Sequence, residues 1–293
     1  MIPDYIFAGL WGGIGSIGLL IGSFVGYKYN ISKKYIAIVT AFSSGILISA
    51  LCFELLLESY HYGNIYTLSI GFITGVVGFT IIDTFINRLN TKKQVKSNIT
   101  DNNQIIGENN SKNNGININN NNINSNDKNI HKYRIIKNRY KGYLNKYQIE
   151  GLTAFAAAIL DGIPESIAIG LTYFIGGPIS LALLVSIFIA NSFEGMSASS
   201  YMKLGGWNGK NIMGLWISVL ILAFTSAMLS YIIFSHTDQH ILSGALAMSA
   251  GAILAMIADT MLPEAFSETR EYTGLLMAIG FLISFTLSQL KFG

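Results

Sequence analysis

The sequence predicts an all-α, polytopic membrane protein of eight transmembrane helices, in which helices 1–3 and 6–8 form an inverted repeat around a central hairpin of helices 4 and 5. Three observations carry that expectation. Of the 293 residues, 51% are hydrophobic and only 12% are charged, whereas a soluble domain averages about 25% charged. The apolar residues gather into runs near the roughly 20 residues that a membrane helix needs. Two of those runs are similar to each other yet should cross in opposite directions, which is the mark of an inverted repeat.

The spans fall at 5–26, 35–58, 64–87, 150–175, 179–202, 211–235, 240–262 and 272–290. They divide the chain into helices 1–3 (1–87), a basic Asn-rich cytoplasmic loop (88–149) and helices 4–8 (150–293). The opening MIPDYIFAGLWGG has no basic n-region and no small-residue cleavage site, so its apolar run should remain as helix 1. In that span Gly18, Gly22 and Gly26 recur every fourth residue, a spacing that lets helices pack closely. Packing within the chain is the plain reading, and the same stripe would permit a homodimer.

Orientation follows from the basic residues. Lys28, Lys33 and Lys34 lie between spans one and two, and the run from Arg88 to Lys146 lies between three and four. Lys203 and Lys210 follow span five, and Arg270 follows span seven. All fall on one side, and only Lys291 falls on the other, so the positive-inside rule puts both termini outside the cell membrane. The net charge of +3 says little beside this uneven placement. Residues 97–130 are Asn-rich low complexity and should be disordered, because they cannot bury enough apolar surface to fold. Their basic flank, HKYRIIKNRYKGYLNK, suits an anionic lipid surface. The bilayer is thus an expected partner, and nucleic acid is not.

Span two contains SSGILISALCFELLLES (43–59) and span seven contains SAGAILAMIADTMLPEA (249–265). They align without a gap, matching Ser43 with Ser249, Gly45 with Gly251, Leu56 with Leu262 and Glu58 with Glu264. Glu58 should then end near the outer face and Glu264 near the inner one.

The chemistry concentrates in spans four and five. Span four carries Asp161 and Glu165, four residues apart and so on one helical face. A charge at mid-membrane costs at least ~2.5 kcal/mol, so two are unlikely to be incidental. Pro164 between them should kink the helix and free the carbonyl of Leu160. Span five adds Asn191 and Glu194 at spacing three, and the intervening GGP turn makes the two spans an antiparallel hairpin. Glu54 in span two and Asp259 in span seven extend the acidic set, and no basic residue lies within a span to pair with any of them. Unmatched charge of this kind must either take up protons or be completed by a cation. Three carboxylates, an amide and a carbonyl exceed what a proton needs, which favours a metal ion over a proton relay. Oxygen ligands lean toward harder ions such as Mn²⁺ or Fe²⁺. His61, His236, Asp238 and His240 could gather metal at the outer mouth, although solvated loop residues are the simpler reading.

These features resemble the ZIP (Zrt/Irt-like) family of divalent metal transporters over essentially the whole chain outside the Asn-rich insert. Span four of that family typically reads His-Asn-x-Pro-Glu-Gly. Here the string is Asp161-Gly162-Ile163-Pro164-Glu165-Ser166, so Pro164 and Glu165 match while Asp161 replaces the histidine and Gly162 the asparagine. In span five Asn191 and Glu194 match and Ala190 stands where a histidine would be; in span two Glu58 matches, with Glu54 near the place of a histidine. The resemblance implies a one- or two-metal site between spans four and five, with the repeat elements rocking against them; our reading places the ion on Asp161, Glu165, Asn191 and Glu194, with Glu54, Glu58, Asp259 and Glu264 passing or gating it. It also implies zinc as cargo, which the lost histidines put in doubt; manganese and iron are the alternatives. No resident cofactor is expected.

Other classes remain open. A proton- or sodium-coupled carrier of another solute could use the same acids, and a membrane sensor or scaffold could use the long loop. An enzyme is the weakest reading, because there is no HExxH motif and no Ser/His pair inside a span. The lone Cys52 excludes an internal disulfide and a thiolate zinc cage.

Overall fold

A computed structural model describes residues 3–29, 31–85, 88, 148, 151–153, 155–175 and 181–289. The Asn-rich segment, its basic flank, the GGP turn and Lys291 lie outside the described residues. The described chain is helical with short turns and contains no strand. Six of its helical stretches are long and apolar enough to cross a membrane. They are α1 (Asp4–Lys28), α2 (Lys33–Tyr62), α3 (Ile65–Phe85), α4 (Gly151–Ile175), α6 (Gly209–Phe234) and a 51-residue stretch, Gln239–Gln289. Between α4 and α6 lies the 24-residue helix α5 (Leu181–Leu204).

Local sequence sets the helix ends. Asp4 opens α1 and Lys28 closes it, each the sign that complements the helix dipole. Ser32 caps α2 by accepting from the Tyr35 amide, and Asn208 caps α6 by accepting from the Lys210 amide. Gly206, at φ 80°, ends α5 in a left-handed residue, with the Trp207 amide bonded back to the Met202 carbonyl.

A straight 51-residue helix would run about 77 Å, more than twice a bilayer core. Instead the last stretch turns at Arg270–Tyr272, where Arg270 adopts φ 39°. We call the part before the turn α7, running through Gln239–Met256, Ile257–Met261 and Leu262–Thr269, and the part after it α8 (Thr273–Gln289). Both Leu262–Thr269 and α8 pack against the Lys33–Ala50 part of α2. The helix therefore extends past residue 262, where the sequence placed the end of span seven, and Glu264 is helical.

α2 and α7 run antiparallel. Ser59, near the end of α2, donates to the Ser243 carbonyl at 2.9 Å, and Ser243, early in α7, donates to the Ser59 carbonyl at 2.7 Å. At the opposite end the last turns of α7 meet the first half of α2. The two helices also share details. Each is interrupted by a π-helical segment, Leu51–Leu56 in α2 and Ile257–Met261 in α7, and Ile257 lies 206 positions after Leu51. Gly45 faces the Met277 carbonyl of α8, and Gly251, 206 positions on, faces the Phe72 carbonyl of α3. Gly280 of α8 faces the Phe42 carbonyl, while Gly75 of α3 faces the Met248 carbonyl, again 206 positions after Phe42. A side chain at any of these four glycines would collide with the opposing backbone, the close approach that small residues make possible between membrane helices.

α1 packs on α5 and α6. Gly18, Gly22 and Gly26 face the carbonyls of Phe188, Ser192 and Met196 on α5. That stripe is occupied within the chain and is not free to seat a second copy. Outward faces are apolar, with Ile65, Ile70, Ile73 and Ile81 of α3 and Leu275, Ile279 and Leu282 of α8 exposed. Rows of exposed aliphatic residues on long apolar helices mark a membrane-embedded protein.

Candidate functional site

α4 presents Asp161 and Glu165, 4% and 1% exposed, and α5 presents Asn191, fully buried. The helix is continuous through Pro164, whose ring nitrogen has no hydrogen to give the Leu160 carbonyl. A proline removes one backbone bond, which the surrounding turns tolerate when packing holds the helix on several sides. Ser166 secures this turn by donating to the Gly162 carbonyl at 2.6 Å. Gly162 is buried, yet a Cβ there would meet no described atom within 4 Å. Open space therefore adjoins the acids on the side where the turn has no side chain.

The orientation of Asn191 is fixed from α1. Its Nδ2 donates to the Gly15 carbonyl at 3.2 Å, which leaves Oδ1 as the free end. That oxygen, Oδ1 of Asp161 and both carboxylate oxygens of Glu165 and of Glu194 are buried without a hydrogen-bond partner. Buried polar atoms are almost always satisfied, and each exception calls for an explanation. Six acceptor oxygens orphaned on two neighbouring helices are an acceptor-only surface, which a cation suits and a further acceptor does not.

Asp161, Glu165 and Glu194 are mutual neighbours, and Glu264 lies beyond Glu194. Asp161 is an electrostatic neighbour of Glu194, Glu165 and Asp83. Glu165 neighbours Glu194 and the Asn191 amide, and Glu194 neighbours Glu264 on α7. Glu264 accepts from the Ser197 hydroxyl of α5 at 3.0 Å and is an electrostatic neighbour of Lys33. The structure thus brings together Asp161, Glu165, Asn191 and Glu194, and adds Glu264 at one end. It does not gather them into a closed cage. Among the described residues, no three His, Cys, Asp or Glu side chains stand close enough to share an ion. Residues four apart on a helix are separated by about 6 Å along its axis, and like charges with no cation between them gain nothing by converging.

The remaining predicted residues sit elsewhere. Glu54 is half-buried in the π segment of α2, where Phe53 stacks on Phe285 and Phe281 of α8. Glu58 is half-buried one residue before the Ser59–Ser243 contact, and Asp259 is exposed in the π segment of α7. His61 ends α2, while His236 and His240 flank the start of α7. Two residues were missed. Asp83 reads in sequence as an acid near the end of a span, and Ser197 as one serine among several. The signal for Ser197 was its place three residues after Glu194, on the same helical face. No protein-family model matches this chain, and no curated protein matches it in sequence.

Proposed function

We propose that the protein is a divalent transition-metal transporter, with Asp161, Glu165, Asn191 and Glu194 binding the ion in mid-membrane and zinc, manganese or iron as cargo. The observation that carries the reading is the set of buried, unpartnered carboxylate and amide oxygens on α4 and α5. A permanent structural network would have satisfied these atoms. A site that must receive and release a cation has reason to leave them open.

The reading includes eight spans, both termini outside the cell membrane, and α1–α3 related to α6–α8 as inverted repeats. The antiparallel course of α2 and α7, their matched π segments and the four matched glycine contacts support the repeat. The shared end of the basic residues supports the orientation, since Lys203 stands over the Tyr27 ring and Lys33 over the Tyr201 ring. On this reading, the Ser59–Ser243 contact at one end and the exposure of Glu264 at the other correspond to an inward-facing state.

The test is uptake of Zn²⁺, Mn²⁺, Fe²⁺, Co²⁺ and Cd²⁺ into proteoliposomes by wild type, Glu165→Ala and Glu194→Ala. Uptake of at least one metal, lost in both variants, supports the proposal. No uptake of any metal by the folded protein overturns it, and uptake untouched by either substitution moves the site elsewhere. A second reading is favoured because, among the described residues, the neighbouring acids do not converge on a shared ion position, which suits a proton relay. Metal uptake that persists without a pH or sodium gradient counts against that alternative.

A further inference from the structure

The cation path inferred above ends beside a fixed cation. Lys33 is the first residue of α2, whose first turn holds no acid and two lysines, Lys33 and Lys34. Positive charge there opposes the helix dipole, so neither lysine serves the helix on which it sits. Their surroundings differ. Lys34 lines a crevice with Glu268, Arg270 and Glu271 at the α7–α8 turn. Lys33 lies toward α5, with its Nζ 5.8 Å from the centre of the Tyr201 ring. Tyr201 lies one turn after Ser197, the residue that donates to Glu264. Packing of Leu262–Thr269 against Lys33–Ala50 brings Glu264 to the same place, and the Lys33 charge reaches it. The ammonium thus lies beside the Tyr201 ring and within electrostatic reach of Glu264, at the exposed end of the acidic set.

We propose that Lys33 is a tethered cation guarding the inner mouth, holding the place beside Glu264 that a passing ion must take, so that cargo crosses only by displacing it. The cargo half of this statement rests on the transport reading; the guard half is a statement about charge at Glu264. Such a guard would keep monovalent cations from resting on Glu264, while a divalent ion, with twice the charge, competes for the carboxylate. It would also return to Glu264 as the ion leaves, favouring release.

The guard can be tested without any metal. In full-length, reconstituted Cys52→Ala protein, Glu264→Cys places a thiol at the mouth. Its reaction rates with a cationic and an anionic methanethiosulfonate of similar size report the local potential. Lys33→Gln should raise the cationic-to-anionic rate ratio about tenfold, Lys33→Arg should leave it unchanged, and Lys34→Gln should shift it far less. An equal shift from Lys33→Gln and Lys34→Gln would mean general surface charge and would overturn the guard. So would a ratio indifferent to Lys33→Gln. A flat ratio with intact metal uptake removes the guard and leaves the transporter. A shifted ratio without uptake of any metal does the reverse.

Discussion

A carboxylate buried without a partner costs stability, and Glu165 shows the cost most plainly. Both of its oxygens are buried and unsatisfied, and Asp161 and Glu194 add like charge beside it. Glu165→Gln keeps the shape and removes the charge. We expect this variant to be more stable than wild type in metal-free detergent solution, by on the order of 1 kcal/mol, and to have lost metal uptake. Thermal unfolding of the two proteins checks the first part. Wild type, but not the variant, should gain stability on addition of Mn²⁺, by about 2.7 kcal/mol at 100 times its dissociation constant. A less stable Glu165→Gln protein would mean that the carboxylate is part of the scaffold and not an open ligand. Asn191 differs, because Gly15 holds one end of its amide; Asn191→Ala should lose both packing order and binding.

At the scale of whole helices, the informative positions are glycines. Gly75 faces the Met248 carbonyl with no room for a methyl group, whereas Gly78, one turn away on the same helix, has nothing within 4 Å of a built Cβ. Gly75→Ala should therefore destabilise the protein by about 1–3 kcal/mol. Gly78→Ala should be neutral or stabilising by up to about 1 kcal/mol, since alanine is the better helix former. Gly280→Ala, against the Phe42 carbonyl, should resemble Gly75→Ala. Thermal unfolding of the three variants decides, and a neutral Gly75→Ala would overturn the close α3–α7 contact. Helix positions were legible in the sequence because apolar runs are dictated by the solvent they face, and most helix boundaries moved by only a few residues. The continuation of α7 to Thr269 was less legible, because Pro263 and Glu264 look like the end of an apolar run. The π segments left no signal at all, since an inserted residue changes register without changing composition. At the site, the acids of α4 and α5 stood out against an apolar background, whereas Ser197 became meaningful only once Glu264 was seen beside it. That the described acids do not close on a shared ion position depends on distances between helices that periodicity does not encode.

For the molecule as a whole, the question is which parts must move. Residues 97–130 should be dispensable, because the transport reading gives them no part in the ion path. Their deletion should leave the initial rate of uptake near that of wild type, and its loss would favour a sensing role for the loop. The two ends of α2 and α7 are another matter. Ser59 and Ser243 exchange hydrogen bonds through both hydroxyls and lie 3.2 Å apart, Oγ to Oγ. Each is fully buried, so the two helices meet closely at this end. On the transport reading, with alternating access between inverted repeats, this contact has to part once per cycle so that an ion can reach Glu165 from that side. Paired cysteines at these positions have side chains close enough to form a disulfide. In a Cys52→Ala background, we expect the Ser59→Cys, Ser243→Cys protein to lose metal uptake on oxidation and to regain it on reduction, while each single cysteine variant is indifferent to oxidant. Mass spectrometry of the cross-linked peptide shows that the bond has formed. Full uptake by a fully cross-linked protein would mean that the ion enters by a route that never separates these helices. A cycle in which α2 and α7 separate at this end would then have to be abandoned, even with the carboxylate site intact.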